Sequence, residues 1–411
     1  MKVIFYAITL AIVSNVICGD RYNKLQCKDE KDVPVDWYVL YKLPKVHTSS
    51  NPMIREGIAY LYITNATIET GWQVSSRPIG SNNSIPGITL APLYNQNESI
   101  WSLYNDSPPN SSYVWSFGHT KGIVMANSDQ GFWLIHSVPN FPPVPRSGVQ
   151  TRRLKRENIT TDGKYSYPVS GTFYGQSFLC ISLGSDQFDI IGEQLMYNEI
   201  AVYAKNIPDI LGKQYPVLKN AINQKHIKTP PYNHKAVIRS LRMTKFISFA
   251  KDGKWGKDLY GDFVAPQLQS DLYVQSWLNG RGKLPSICTR RKIYNVKSFE
   301  FDVANVNFAS SQDHSKWAIT NTKKSANRWV CIGDINRADT QYSRGGGIVC
   351  FKEARLWTDY RNVINDVEPL ITVILTAVYL QVYKEEVSVA LYYCGIRTND
   401  GDQKQFLNWI L

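Results

Sequence analysis

Several motifs that mark common hydrolase classes are missing from this 411-residue chain. It contains no HExxH, GxSxG or GxxxxGK sequence, so a zinc protease, a serine hydrolase and a P-loop nucleotidase have no support. Its seven cysteines never form a CxxC pair, which argues against a zinc knuckle. The sequence therefore predicts no metal and no other cofactor.

Long hydrophobic runs are absent after the N-terminus. The most apolar later stretch, residues 369–380, is about a dozen residues long, whereas a membrane-spanning helix needs about 20. The stretch is expected to be a buried strand or helix, and no membrane partner is predicted.

The N-terminal residues predict export. Lys2 precedes a largely apolar run over residues 3–16, and Cys18 and Gly19 follow, which is the pattern of a cleaved signal peptide over residues 1–19. Cleavage leaves six cysteines, an even number that predicts three disulfides with fifteen possible pairings. Six glycosylation sequons agree with a lysosomal or secreted glycoprotein. They lie at Asn65, Asn82, Asn97, Asn105, Asn110 and Asn158.

The net charge limits the class of binding partner, and the length of the chain limits the number of domains. A formal net charge of +12 favours an anionic partner, either nucleic acid or a membrane surface. The mature chain of about 390 residues exceeds one ordinary core, so two domains or two halves are expected.

Strands and helices are both predicted, which favours α/β layers. Strand patterns cover residues 35–41, 58–63, 132–135 and 329–332. Helical patterns cover residues 189–203, 215–224 and 352–366. Residues 76–112 are rich in Ser, Asn and Pro without periodicity, and are predicted to form a glycosylated loop.

The tripeptide His-x-Lys occurs twice in the chain. His119 and Lys121 form the first copy, and His314 and Lys316 form the second. The two histidines are 195 residues apart, about half of the mature chain. This spacing predicts an internal duplication with a boundary within residues 205–235.

Each His-x-Lys copy is followed by a similar segment. Trp133 and Trp329 are each followed seven residues later by an asparagine, at Asn140 and Asn336. Because residues i and i+2 of a strand point to the same face, each copy would direct an imidazole and an ammonium group at one ligand. A histidine, a lysine and an amide that occur twice predict two half-sites that close on one phosphate.

Such a set can cleave a phosphodiester. A neutral imidazole can attack phosphorus and form a phosphohistidine, while a second, protonated imidazole donates to the leaving oxygen. Two lysines and two asparagines can hold the non-bridging oxygens with fixed donors. One imidazole must be neutral and the other charged, and free histidine has a pKa near 6.5, so mildly acidic solution is expected to suit the reaction best.

Seven short strings resemble segments of the deoxyribonuclease II family, acid endonucleases whose fold is similar to that of phospholipase D. They are VDWYVLYKLP (35–44), LYND (103–106), GFWLIHSVPNFP (131–142), YGQSFLC (174–180), DHSKW (313–317), GDINR (333–337) and RGGG (344–347). The similarity extends over about residues 33–360, and the strings are specific in combination. Residues 365–411 depart from the pattern, because the family's last cysteine comes sooner.

The resemblance implies an endonuclease that hydrolyses double-stranded DNA in acid without a divalent metal, leaving 3′-phosphate and 5′-hydroxyl ends. It also implies an α/β fold of two pseudo-symmetric phospholipase-D-like halves, in which mixed sheets are flanked by helices. The halves are assigned to residues 20–215 and 216–411, with one His-x-Lys in each.

The resemblance further implies the catalytic residues. His119 is assigned as the nucleophile and His314 as the general acid, with Lys121 and Lys316 beside them. His136 falls at a position that the family treats as important and joins the catalytic set. The predicted phosphate-binding residues are Asn140, Asn336 and Asp334.

The disulfide pairing is also narrowed by the resemblance. It implies Cys27 with Cys180 and Cys331 with Cys350, which leaves Cys288 with Cys394.

Two alternatives stay open beside a nuclease that acts on double-stranded DNA as a monomer or homodimer. A phospholipid-cleaving phosphodiesterase of the same fold would use the same dyads, but the larger family's motif has an Asp five positions after the lysine. This chain has Ala126 and Asn321 there. A non-catalytic secreted protein that binds DNA or another polyanion is the second alternative, and the intact His and Lys of both copies argue against it.

Overall fold

The computed structural model of the chain describes residues 24–95, 98–109, 111–146, 149–150, 163–288, 290–374 and 390–393. The fold is α/β, with two large sheets flanked by helices, as the sequence predicts. Several predictions lie outside the described residues: the signal peptide over residues 1–19, the sequons at Asn97, Asn110 and Asn158, and Cys394.

The first sheet has nine strands in the order β3-β2-β1-β8-β6-β5-β4-β9-β7, and neighbouring strands pair antiparallel. The strands are β1 (Trp37–Lys42), β2 (Tyr60–Thr64), β3 (Gln73–Val74), β4 (Ile100–Asn105), β5 (Lys121–Ala126), β6 (Gln130–His136), β7 (Val149–Gln150), β8 (Gln176–Gly184) and β9 (Val202–Asn206). Strands β1, β4 and β5 are buried along their whole length. Because both of their faces are covered, their sequences are continuous apolar runs rather than alternating ones.

The second sheet has twelve strands, of which ten follow the order β10-β11-β18-β17-β16-β12-β14-β13-β20-β21, while β15 and β19 pair with β14. The strands are β10 (Asn233–Arg239), β11 (Lys245–Lys251), β12 (Asp271–Gln275), β13 (Ile287–Cys288), β14 (Lys292–Phe301), β15 (Val306–Ala309), β16 (Trp317–Asn321), β17 (Trp329–Gly333), β18 (Gly346–Lys352), β19 (Ile364–Val367), β20 (Ile371–Ile374) and β21 (Ala390–Tyr393). We call the part of the chain up to β9 the first half and the part from β10 the second half.

Short helices cover the sheets. They are α1 (Pro52–Glu56), α2 (Ile85–Asn95), α3 (Phe188–Tyr197), α4 (Asp209–Gln214), α5 (Pro216–Ile222), α6 (Ala265–Leu268) and α7 (Ala354–Asn362), with a π-helical turn over Tyr260–Val264. Helix α5 packs on α3 of the first half, and Asp189 accepts hydrogen bonds from the backbone of Val217 and Leu218. The division at residue 215 stays a prediction. Within the described ranges, no helix is long and apolar enough to cross a membrane.

One apolar core joins the two sheets. It contains Val39 and Leu183 from the first sheet together with Val349 from the second. The rings of Trp37 and Phe351 meet edge to face across this core, with centroids 5.1 Å apart. Each large apolar side chain buried there contributes about 1.5–3 kcal/mol, so the halves are held together by the same force that folds each of them.

The predicted strands and helices are confirmed in type, but their boundaries differ. Strands β1, β2, β6 and β17 overlap the predicted strand segments, and α3, α5 and α7 overlap the predicted helical ones. The end of the third helical prediction, over residues 352–366, is wrong, because Ile364–Val367 forms strand β19. The helix predicted over residues 189–203 ends at Tyr197, because Glu199 adopts a positive φ of 51° that does not continue an α-helix.

The prediction of a loop over residues 76–112 is wrong. This segment contains helix α2 and strand β4. Ser84 accepts a hydrogen bond from the backbone N–H of Gly87, within the first turn of α2, and Ile85, Leu90 and Leu93 are buried beneath it. The helix was hidden because its apolar residues do not recur at helical spacing and because Pro92, a residue that usually breaks helices, lies inside it.

The glycosylation prediction at Asn105 is also contradicted. Asn105 is fully buried at the end of β4, and its amide donates to the carbonyls of Val138 and Phe141, both at 3.0 Å. A glycan on this nitrogen has no room in the fold. Asn82 is exposed and Asn65 is half-buried, so the geometry leaves both sequons open.

We expect peptide mapping of the secreted protein to find glycan at Asn82 and none at Asn105. An Asn105→Asp variant replaces two amide donors by a carboxylate beside two carbonyls, and should lower the free energy of unfolding by about 1–3 kcal/mol. An Asn82→Asp variant serves as the exposed control and should leave it unchanged. Glycan on Asn105 of the folded protein would contradict this assignment.

Candidate active site

Both His-x-Lys segments lie at the entrance to a strand. Lys121 is the first residue of β5, and His119 precedes it by two residues. Lys316 directly precedes β16, and His314 precedes it by two residues. His119, Lys121 and Lys316 are buried, whereas His314 is half-buried. Each dyad is therefore fixed by the start of a strand that the sheet holds in register.

Each histidine is hydrogen-bonded through its own backbone to the other half. The N–H of His119 donates to the carbonyl of Gly345 at 2.9 Å, and the N–H of His314 donates to the carbonyl of Gly175 at 2.8 Å. A Cβ at Gly175 would lie 2.3 Å from the carboxylate of Asp313, so this close approach requires glycine. The two halves are therefore interlocked at the dyads.

The lysines repeat this crossed pattern. The backbone N–H of Lys121 donates to the carboxylate of Asp334 at 3.3 Å. The backbone N–H of Lys316 donates to the hydroxyl of Ser177 at 3.2 Å. Matching contacts in both directions are what two halves related by an approximate twofold axis produce.

The four basic groups interact electrostatically across the halves. The pKa of His119 lies well below its usual value, first because the ring is buried and then because Lys121 and Arg344 are cationic. Lys316 and His314 of the second half lower it further. Desolvation, Lys316 and Lys121 likewise hold the pKa of His314 well below its usual value. These effects show that the charged groups of the two dyads lie close enough to influence one another.

Asp106, which the sequence assigned no role, carries the negative charge of the site. Its carboxylate accepts hydrogen bonds from the ammonium group of Lys121 and, at 2.9 Å, from the guanidinium group of Arg344. It lies 3.8 Å from Nε2 of His119. Burial favours the neutral acid, but Lys121 and Arg344 outweigh it and lower the pKa of Asp106, so the carboxylate is ionised. Asp106 is the last residue of LYND (103–106), one of the strings that resemble the family, but the sequence does not reveal which side chains it contacts.

His314 has a different environment. Its Nδ1 lies 3.0 Å from the carbonyl of Ser137, 3.3 Å from the side-chain oxygen of Gln176 and 3.0 Å from Nζ of Lys316. The oxygens of Ser137 and Gln176 accept and favour a proton on Nδ1, whereas Nζ of Lys316 is a donor that opposes it, so two acceptors stand against one donor at this nitrogen. Nε2 on the other side of the ring then carries the free lone pair.

His136, predicted to be catalytic, is a core histidine. It is fully buried, its Nδ1 accepts a hydrogen bond from the backbone of Val138 at 3.1 Å, and its ring packs against Phe141 and Phe178. Burial, and then the charge of Lys121, hold its pKa well below the usual value, so the ring is neutral. Nδ1 of His136 thus supports the strand end beside the site, while Nε2 is buried without a hydrogen-bond partner among the described residues, and the catalytic role stays a prediction.

Asn140 does not fit its predicted role as a phosphate ligand. Its amide donates to the carbonyls of Ser107 and Pro108, at 3.4 and 3.0 Å, and its oxygen accepts from Ser170. Its φ of 60° is a left-handed conformation that asparagine tolerates in a turn. The side chain therefore closes a turn, and its donors are already in use.

Asp334 likewise uses its side chain to hold the backbone. Its carboxylate accepts from the backbone of Lys121 and, at 3.4 Å, of Gly347. Burial, partly offset by Lys121, raises the pKa of Asp334 to about 7. An acid that fixes two backbone N–H groups orients the site, whereas in its ionised form it would repel a phosphate. Asn336 is half-buried with its Oδ1 buried and unbonded within the described residues, and stays a candidate.

A second pair of lysines, which the sequence did not reveal, supports the segments that hold the histidines. Lys42 ends β1 and lies opposite Gln176, and Lys251 ends β11 and lies opposite Gly346. Both are buried. Lys42 donates to the carbonyls of Gly57 and Thr172, at 3.2 and 2.8 Å.

Lys251 has three backbone acceptors. It donates to the carbonyls of Gln341 and Tyr342, at 2.9 and 3.1 Å, and to that of Arg344. Burial lowers the pKa of Lys251 to about 8, although Glu199 partly offsets it. The ammonium group is therefore charged in acid and holds the loop that carries Arg344 and leads to Gly345.

Two predicted disulfides are present. Cys27 is bonded to Cys180, and Cys331 is bonded to Cys350 across the neighbouring strands β17 and β18. Cys288 is also disulfide-bonded, and its predicted partner lies outside the described residues. In the parts of the chain that the structure describes, no group of three His, Cys, Asp or Glu side chains is placed to hold a metal.

Comparison with known proteins agrees with the resemblance. Residues 26–370 match the family model of deoxyribonuclease II. The chain is 37% identical to deoxyribonuclease-2-alpha of Rattus norvegicus over 84% of this chain and 94% of that one. It is 34% identical to plancitoxin-1 of Acanthaster planci, over 89% and 98%, and 33% identical to cell death-related nuclease 6 of Caenorhabditis elegans, over 84% and 89%. The chain therefore belongs to the deoxyribonuclease II family.

Proposed function

We propose that this protein is an acid endonuclease that hydrolyses double-stranded DNA without a divalent metal. One observation carries the proposal: crossed backbone hydrogen bonds bring the two dyads together, so that, beyond the effect of burial, Lys121 and Lys316 lower the pKa of both His119 and His314. A phosphodiester carries the negative charge that offsets this repulsion. Family membership identifies the reaction class as phosphodiester hydrolysis.

The contacts favour His314 as the nucleophile and His119 as the general acid, the reverse of the assignment made from the sequence. With the proton on Nδ1, which the acceptors of Ser137 and Gln176 favour, Nε2 of His314 has the free lone pair. The carboxylate of Asp106, 3.8 Å from Nε2 of His119, favours a proton on that nitrogen. The half-buried ring is also the one that substrate reaches more readily.

The reaction then has two steps. Nε2 of His314 bonds to phosphorus while the P–O5′ bond breaks, and His119 gives its proton to the departing oxygen, leaving a 5′-hydroxyl. Neutral His119 next takes a proton from water, which attacks phosphorus and breaks the N–P bond, releasing a 3′-phosphate. Lys121 and Lys316 offset charge on the non-bridging oxygens throughout.

The compartment and the architecture belong to the same proposal. Two disulfides fit a protein that matures in an oxidising compartment and acts in lysosomes or outside the cell. The crossed backbone contacts support two phospholipase-D-like halves, residues 20–215 and 216–411, that act as one unit whether the protein is a monomer or a homodimer.

We expect plasmid nicking in EDTA at about pH 5, and a rate that falls as pH rises. His119 must be protonated to act as the acid, and its pKa is held below the usual value, so the active form is lost as pH increases. His119→Asn and His314→Asn should each lower the rate by about 10²- to 10⁴-fold, and His47→Asn, at an exposed histidine, should not. Phospholipid turnover without nicking, or DNA retention without nicking, would contradict the proposal.

The order of the histidines is tested with a nucleoside 3′-phosphate that carries a nitrophenyl leaving group. This leaving group departs without a proton, so His119→Asn should form the adduct but hydrolyse it slowly. Mass spectrometry of acid-free digests should then find phosphate on His314 of this variant, and none in His314→Asn. An adduct on His119 would restore the assignment made from the sequence.

A Lys251→Met variant should lower kcat for nicking by about 10- to 100-fold with little change in KM, because the loop that carries Arg344 loses its anchor. Three carbonyls lose their donor, so the free energy of unfolding should fall by about 1–3 kcal/mol. Lys245→Met, at an exposed lysine of the same strand, is the matched control. An unchanged kcat in a folded Lys251→Met protein would remove the positioning role.

A further inference from the structure

Two aromatic side chains form a wall beside His314. The ring of Trp277 lies edge to face against His314, with centroids 5.1 Å apart, and the ring of Tyr174 lies edge to face against Trp277, at 4.8 Å. Trp277 is half-buried, and Tyr174 is 38% exposed. We call these two residues the aromatic wall. Its position continues the site from the proposed nucleophile towards solvent.

Both halves build the aromatic wall and fix it to the His314 segment. Tyr174 comes from the first half and directly precedes Gly175, whose carbonyl accepts the backbone N–H of His314. Trp277 comes from the second half, two residues after Gln275, whose side chain donates to the carbonyl of Asp313 at 3.1 Å. The backbone segments that carry the two rings are therefore tied to the segment that carries His314.

The aromatic wall departs from the approximate twofold symmetry of the two halves. Asn105 lies opposite Lys121 in the first sheet, and Gln275 lies opposite Trp317 in the second. Trp317 is one residue beyond Lys316, the counterpart of Lys121. The two registers therefore place Trp277 at the position that Asp106 takes in the first half. His119 has a carboxylate beside it, whereas His314 has an indole. This position therefore serves a different function in each copy.

We propose that the aromatic wall stacks a nucleobase of the nucleotide next to the scissile phosphate. This inference rests on the proposed nuclease function and adds a substrate preference to it. Aromatic side chains bind bases of any sequence through their π-faces. A base inside a duplex already stacks on its neighbours, so it can reach Tyr174 and Trp277 only after it leaves the stack. The enzyme therefore prefers nucleotides that are unpaired or easily unstacked.

The test compares two duplexes of the same sequence, one fully paired and one with a short unpaired bulge, cleaved in acid with EDTA. The wild-type protein should cleave at the bulge with a kcat/KM at least about fivefold higher, the lower end of what stacking one base contributes. Tyr174→Leu should bring the two rates to within twofold of each other, as an estimate of about one lost stacking contact. Tyr174→Phe, which keeps the ring, should retain the preference.

Phe173→Leu is the matched control, because Phe173 is the adjacent residue and is 50% exposed, and it should also retain the preference. A second readout uses 2-aminopurine at the flanking nucleotide, bound to the His119→Asn variant. Its fluorescence should be quenched, and Tyr174→Leu added to that variant should relieve the quenching.

The failure of this inference is distinguishable from that of the nuclease proposal. Equal cleavage of both duplexes by the wild-type protein, or a bulge preference that survives in Tyr174→Leu, would remove the base-stacking subsite and leave the nuclease intact. Absence of cleavage of either duplex would remove both.

Discussion

The crossed hydrogen bonds from the two histidine backbones are the constraint on which the active site depends. Each imidazole is placed by a carbonyl of the opposite half, at Gly345 for His119 and at Gly175 for His314. Neither half can therefore present a correctly placed histidine without the other. The shared apolar core keeps the sheets in the register that these bonds require, so stability and catalytic geometry have the same origin.

The proximity of the two His-x-Lys segments also determines the electrostatics of the site. Buried cations from both halves repel each other, and among the described residues Asp106 contacts three of the basic groups. Burial, and then repulsion, lower the pKa of His119 and His314, which couples protonation of the site to acid and to the arrival of an anionic substrate. The approximate symmetry of the two halves is retained at Lys42 and Lys251, whose ammonium groups donate to backbone carbonyls.

Much of the fold could be predicted from the sequence. The strands β1, β6 and β17 are apolar runs that can be recognised from the local sequence alone. The resemblance to the family implied two of the disulfides, which cysteine count alone left open. The helix and strand within residues 76–112 were missed, because their burial depends on neighbours that the local composition does not reveal.

The sequence by itself determined which chemical groups are available: two imidazoles and two ammonium groups in a repeated pattern, within a recognisable family. Only the tertiary structure decided what each polar residue does. Nδ1 of His136 and the amide of Asn140 bond to backbone groups beside them. Asp106 became central because folding brings Arg344 to it across 238 positions of the chain. The physical reason is that a side chain's charge and free donors are set by the partners that packing supplies, and those partners are distant in the sequence.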